Sequence, residues 1–118
     1  MELGFRGTAR LKDFNEILVE CIEQSLKEIV GIAVSEALLT ELYENYDLAK
    51  EELPYHLKAL SSLLQVAFGS NLSKALSKEI ARKLYNRFSL EFPESPDKQL
   101  IDYVGDALKT LSDRSKEP

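Results

Sequence analysis

Apolar side chains recur at helical spacing on both sides of a single glycine, Gly69, near the middle of the chain. The positions that share a helical face are Leu57, Leu60, Leu64, Ala67 and Phe68 before the glycine, and Leu72, Leu76, Ile80, Leu84 and Phe88 after it. Glycine suits a helix end because it adopts left-handed backbone conformations without steric cost, and Asn71 is placed to cap the next helix. The pattern predicts two helices, over 54–68 and 71–88, joined at Gly69.

The remaining segments predict three further helices, over residues 11–30, 33–46 and 96–111. Gly31 ends or kinks the first of them, and Ser35 or a residue just before it is a candidate cap for the second. Residues 47–53 form a connector with room for one short helical turn. Pro93 and Pro96 interrupt the chain before the fifth helix, which Ser95 would cap, and residues 112–118 are expected to be loose.

These helices predict an all-α fold of about five helices in a compact orthogonal or bundle-like array. A length of 118 residues supports one domain. Within it we interpret residues 1–10 as a flexible arm, 11–92 as the core, and 96–111 as a helix available to a partner subunit. The apolar stripes are too wide and too short for a coiled coil.

The composition bears on where in the cell the protein is expected and on what type of molecule it could bind. The net charge is -5 and the pI is near 4.9, which disfavours general attraction to nucleic acid or anionic lipid. Cys21, the only cysteine, shares a helical face with Leu18 and Ile22 and is expected to be a small core residue. The start lacks a signal peptide and no apolar run approaches the ~20 residues of a membrane span, so we expect a cytoplasmic protein without a membrane partner.

Reactive side chains do not form a recognisable catalytic pattern. His56 is the only histidine, and no G-x-S-x-G or glycine-rich phosphate loop accompanies it. Pairs such as Glu41 with Glu44 are typical of solvated helix faces. We therefore expect no enzymatic activity and no catalytic, cofactor-binding or metal-binding residue. An enzyme or metal protein centred on His56 is the third hypothesis.

One charge feature stands out between residues 71 and 88. Five basic residues and one acid give this segment a net charge of +4, and the rest of the chain therefore carries -9. The basic residues are Lys74, Lys78, Arg82, Lys83 and Arg87, named here the basic set. Three interpretations remain open: a solvated face paired with acids of the first two helices, a surface for an acidic protein partner, or a nucleic-acid contact.

A family resemblance rests on the same central segment. The pattern comprises Leu53-Pro54, Leu60, Leu64, Phe68-Gly69, Leu76, Ile80, Leu84-Tyr85 and Phe88. It resembles a small archaeal family, the Nitrosopumilus output domain, over about residues 14–90, and departs from it at Leu60, where the family tends to carry an aromatic residue. The resemblance implies a helical domain that stands alone or is attached to signalling modules, and it implies no known activity.

The leading functional hypothesis is a non-enzymatic protein-interaction module, a signalling output or adaptor domain that self-associates as a homodimer or binds an acidic partner. The alternative is a DNA-binding transcriptional regulator that uses the basic residues of the fourth predicted helix.

Overall fold

Four α-helices and one 3-10 helix form the described part of the chain. The computed structural model describes residues 8–95 and 97–116, with side chains from residues 13–95 and 97–114. The helices are α1 (Thr8–Val30), α2 (Ile32–Asn45), a 3-10 helix (Lys50–Tyr55), α3 (Leu57–Arg87) and α4 (Leu100–Lys116). No strand occurs among these residues. The predicted all-α fold is confirmed.

Several predicted boundaries were wrong. α1 begins at Thr8, inside the predicted flexible arm, whose residues 1–7 lie outside the described residues. α4 starts at Leu100, because the Asp102 carboxylate accepts a hydrogen bond from the Gln99 backbone N–H at 2.9 Å and satisfies a free donor at that point. It continues to Lys116, through most of the segment predicted to be loose. Pro96, the predicted first-turn proline, lies outside the described residues.

Two glycines change the direction of the helical chain. Gly31 (φ 91°, ψ 163°) separates α1 from α2, and Gly69 (φ 85°, ψ 171°) breaks α3 into a first arm (57–68) and a second arm (70–87). This backbone region is essentially restricted to glycine. Helical geometry resumes at the next residue in both cases, so the predicted caps were wrong: Asn71 lies inside the second arm and Ser35 is buried on α2.

Helices α2 and α3 end without a glycine. Asp47 (φ 51°) and Ser89 (φ 56°) adopt the left-handed conformation just past the two helices. The Leu48 N–H then reaches back to the Tyr43 carbonyl at 2.9 Å, and the Leu90 N–H reaches the Tyr85 carbonyl at 2.8 Å. Each bond joins the third residue beyond the helix to a carbonyl of its last turn, which is the Schellman motif.

The core is aliphatic and is drawn from every helix. Its largest fully buried aliphatic side chains are Leu18, Ile22, Leu26, Leu42, Leu53, Leu60, Leu64, Leu76, Ile80 and Leu84. Cys21 is fully buried among them, as predicted, and burial raises the pKa of its thiol. The spacing of apolar residues in α2 predicts a buried face of Val34, Leu38, Leu42 and Tyr46, with Ala37 and Leu39 beside them. Leu38, Leu39 and Leu42 are buried, whereas Val34, Ala37 and Tyr46 are exposed and Ser35 is buried instead.

The apolar face of α4 packs against α3 of the same chain. Leu100, Tyr103, Val104 and Ala107 are all buried there. The sequence had indicated this face as one available to a partner subunit, because an apolar stripe beyond a proline-bounded linker has no evident partner in the sequence. The second arm of α3 covers it instead, so any partner must use another surface.

The conformation of Gly69 predicts opposite results for two glycine-to-alanine changes. Gly69→Ala adds no clash, since nothing lies within 4 Å of the new Cβ, but it strains the backbone, and we expect the free energy of unfolding to fall by about 1–3 kcal/mol. Gly105→Ala, also in open space but inside α4, should raise it by about 0.5–1 kcal/mol. Urea denaturation measures both. A Gly69→Ala protein as stable as Gly105→Ala would contradict the backbone conformation described at Gly69.

Candidate functional site

A polar groove lies between the two arms of α3 and the segment that leads into α4. It encloses about 650 Å³. Fourteen described residues line it: six serines (Ser61, Ser62, Ser70, Ser73, Ser77, Ser95), four lysines (Lys58, Lys74, Lys78, Lys98), two glutamines (Gln65, Gln99), Tyr103 and one acid, Asp97. We call it the serine–lysine groove.

Helical spacing on each arm places the groove residues on one side. Lys58 and Ser62 are four residues apart on the first arm, and Lys74 and Lys78 are four apart on the second. Gly69 folds the arms so that these two faces flank the same space. The Gln65 amide donates a hydrogen bond to the Ser70 hydroxyl at 3.2 Å, across the break at Gly69. The groove is therefore a consequence of the backbone break.

The lysines of the groove differ in their partners. Lys78 forms an ion pair with Glu94 at 3.1 Å. Lys98 contacts Asp106 at 2.6 Å, and this hydrogen bond raises the pKa of the Lys98 ammonium. Lys58 and Lys74 form no ion pair with any residue that the structure describes. With Asp97 as the single lining acid, these two free ammonium groups make the groove locally cationic.

The five residues of the basic set do not form one surface. Lys83 follows Lys74 by nine residues, about two and a half helical turns, so the two lie on opposite sides of the second arm. Lys83 pairs with Glu28 of α1 at 2.9 Å and Arg87 with Glu20 of α1 at 3.0 Å.

Two members of the set line the serine–lysine groove, and one lies near it. Lys74 and Lys78 are lining residues. Arg82 contacts Glu79 at 2.7 Å and stands 5.5 Å from the centre of the Phe92 ring. Four of the five charges therefore contact an acid of the same chain, and only Lys74 has no such contact among the described residues. Pairing with α1 agrees with the first of the three interpretations, but no pair joins the set to α2 in this region.

A hydrogen-bonded tyrosine pair holds the α4 side of the groove in place. The Tyr85 hydroxyl donates to the Tyr103 carbonyl at 2.8 Å in a buried setting. The Tyr103 hydroxyl donates to the Ser95 carbonyl at 2.9 Å and accepts from the Ser95 N–H at 3.0 Å. Burial, with smaller contributions from Asp106 and Tyr103, raises the pKa of Tyr85 to about 12, so this donor stays protonated at neutral pH. We call these contacts the tyrosine latch.

His56 lies apart from the groove. It precedes α3 at φ -130°, so it is not on the helix where the sequence placed it, and its side chain is exposed. Within the described ranges, no group of three or more histidine, cysteine, aspartate or glutamate residues is placed to hold a metal ion. No helix in that part of the chain has the length and apolarity that crossing a membrane requires.

An exposed apolar surface marks the junction of α1 and α2. Ile29, Ile32 and Val34 remain 41%, 62% and 45% exposed, and Ala33 and Ala37 beside them on α2 are also exposed. We call Ile29, Ile32 and Val34 the apolar corner. By spacing alone, Ile29 and Val34 fit the buried faces of α1 and α2, but both are exposed. Gly31 redirects the chain between them, so the buried face of α1 ends at Leu26 and that of α2 begins at Ser35.

The groove itself was not predicted from the sequence. Its six serines come from both arms and the loop before α4, so they show no local motif. Tyr103 was also missed, because it adjoins Val104 in the apolar stripe of α4. Serines three or four residues from lysines on both sides of Gly69 were the available signal.

Comparisons with known proteins identify no relative: no family model matches the chain, and no curated protein or solved structure does either. The resemblance to the archaeal output-domain family stays a prediction.

The tyrosine latch predicts a measurable loss of stability in Tyr103→Phe. The change removes two hydrogen bonds and leaves the Ser95 N–H and carbonyl to find other partners, so we expect the free energy of unfolding to fall by about 2 kcal/mol. Tyr46→Phe is the matched control, since Tyr46 is exposed and has no side-chain hydrogen bond among the described residues. Chemical denaturation of both variants measures the difference, and equal stabilities would argue against the latch.

Proposed function

We propose that the protein is a non-enzymatic interaction module of the cytoplasm, a signalling output or adaptor domain like the archaeal family it resembles, and that it self-associates through the apolar corner. The observation that carries this proposal is the exposure of Ile32 and Val34 at the start of α2. Exposure of clustered apolar side chains to water is unfavourable, and burying them in a protein interface lowers the free energy.

The partner that we propose for this surface is a second copy of the chain. A two-fold axis through the apolar corner brings the same three side chains of both copies together, as an isologous interface requires. Of the acids of α2, Glu36 lies one helical turn from Ile32, whereas Glu41 and Glu44 stand in the far half of the helix; all three are exposed. Such an arrangement leaves most of this charge away from the axis, where repulsion between the copies is weak.

Self-association predicts a concentration-dependent mass in light scattering after size-exclusion chromatography. Ile32→Glu with Val34→Glu places four charges at the proposed two-fold contact of a dimer, and we expect the mass to become monomeric. Val66→Glu is the matched control, because Val66 is 85% exposed on the first arm of α3, away from the corner. A wild-type protein that stays monomeric at high concentration would refute the proposal, as would equal loss of the dimer in both variants.

The alternative function, a DNA-binding regulator, has weaker support. Lys78, Arg82, Lys83 and Arg87 would have to exchange an acid of the same chain for a phosphate. Each exchange reduces the net gain from contact with the DNA backbone.

DNA binding is tested by fluorescence anisotropy of a labelled duplex at low salt. We expect no saturable change with the wild-type protein. Salt-sensitive binding that is lost in Lys74→Glu with Lys78→Glu and Arg82→Glu would favour the DNA-binding alternative instead.

A further inference from the structure

The serine–lysine groove has the chemistry of an anion site. The Lys58 and Lys74 ammonium groups approach it from the two arms of α3, and neither is neutralised by a described residue. Two more lysines line it and keep only one acid contact each. Hydroxyls of six serines surround these charges and supply neutral donors. Glu94 and Asp106 neutralise two of the four ammonium groups, and Asp97 is the one acid among the described lining residues. Lys58 and Lys74 therefore leave the groove with a local positive charge in a chain whose net charge is negative.

The type of donor indicates the class of anion. Arginine is the residue that recognises a carboxylate through two parallel hydrogen bonds, and the groove contains none. Lysine acts as a point charge and commonly binds phosphate, whose several oxygens also accept bonds from hydroxyl groups. A set of lysines and serines therefore fits a phosphoryl group better than a carboxylate.

The shape of the groove limits the size of the ligand. A volume of about 650 Å³ lies within the roughly 300–1,000 Å³ range of small-molecule sites. The walls come from three segments of the chain, the two arms of α3 and the loop before α4. Polar and apolar atoms contribute about equally to the lining, and the lysine stems supply part of the apolar share. A small molecule with a charged group and an apolar part fits these walls.

We propose that the serine–lysine groove binds a small phosphorylated molecule, with Lys58 and Lys74 as the principal charge contacts and serine hydroxyls as further donors. This site is separate from the apolar corner, and it does not depend on self-association. The proposal adds a ligand to the interaction module, with the tyrosine latch fixing one wall of the site through Ser95 and Tyr103.

Inorganic pyrophosphate is the probe for this site. In a titration followed by ¹H–¹⁵N NMR at constant ionic strength, we expect saturable shifts centred on Ser61, Ser73 and Ser77, with a Kd on the order of 1 mM or below. Lys58→Ala with Lys74→Ala should weaken binding about tenfold or more. Lys27→Ala with Lys109→Ala is the matched control, since both lysines are exposed and neither lines the groove.

A second variant separates a defined site from general attraction of anions. Ser61→Ala with Ser77→Ala leaves the charge unchanged, and we expect it to weaken pyrophosphate binding several-fold. Shifts that do not saturate, or equal losses in the groove and control lysine variants, would overturn the proposal. A labelled DNA duplex that displaces pyrophosphate and binds more tightly would also overturn it, by assigning the same phosphate contacts to nucleic acid. Light scattering of the same samples measures self-association separately. A failure of the anion-site proposal can therefore be distinguished from a failure of the proposed dimer.

Discussion

Two abrupt changes of helix direction depend on a backbone conformation that only glycine adopts readily. Gly31 and Gly69 have nearly the same φ and ψ, and in both the helix resumes at the next residue. A longer loop would separate the helices, but a single residue keeps the two flanking helical ends adjacent. The apolar corner lies at Gly31 and the serine–lysine groove opens beside Gly69. Both candidate surfaces therefore follow from the same local constraint.

The arrangement of the helices also decides which basic side chains of α3 are paired with acids. The second arm of α3 carries most of the basic residues, and α1 packs along one of its sides. Glu20 and Glu28 of α1 pair there with Arg87 and Lys83. Exposed ion pairs of this kind contribute little to stability, but they cancel charge locally. On the opposite side of the arm Lys78 pairs with Glu94, whereas Lys74 has no ion pair among the described residues. The groove therefore remains cationic.

The sequence predicted what depends on local periodicity. The burial of Leu18, Leu60 and Leu76 and the change of direction at Gly69 follow from spacing and glycine chemistry alone. The ends of α2 and α3 were predicted to within one residue, at 46 and 88. The left-handed conformation of Asp47 and Ser89 that follows these ends was not predicted, because glycine is the usual choice there.

The candidate site could not be predicted in the same way. The groove joins residues from three segments, and its shape depends on how α4 docks. That docking rests on Tyr103, whose two hydrogen bonds to Ser95 are invisible in a hydrophobicity pattern. Ser35 shows a different limit of the sequence pattern. Serine is typical of helix caps, but Ser35 is buried because α2 begins three residues before it and turns this position toward the core.

Unsatisfied polar groups suggest that α2 is held less firmly than α4. The hydroxyls of Ser25, Ser35 and Tyr43 are buried without a hydrogen-bond partner among the described residues, and all three belong to α1 or α2. Each such hydroxyl costs about 1–3 kcal/mol relative to one that is bonded. In α4, by contrast, the Tyr103 hydroxyl is fully bonded.

The apolar corner lies on α1 and α2, the two helices that carry these unbonded hydroxyls. A second copy that packs on the apolar corner would bury Ile29, Ile32 and Val34 and hold α2 against α1 from outside. Self-association at this surface would then stabilise the α1–α2 junction, while the groove, supported by the satisfied tyrosine latch, would keep its shape in either oligomeric state.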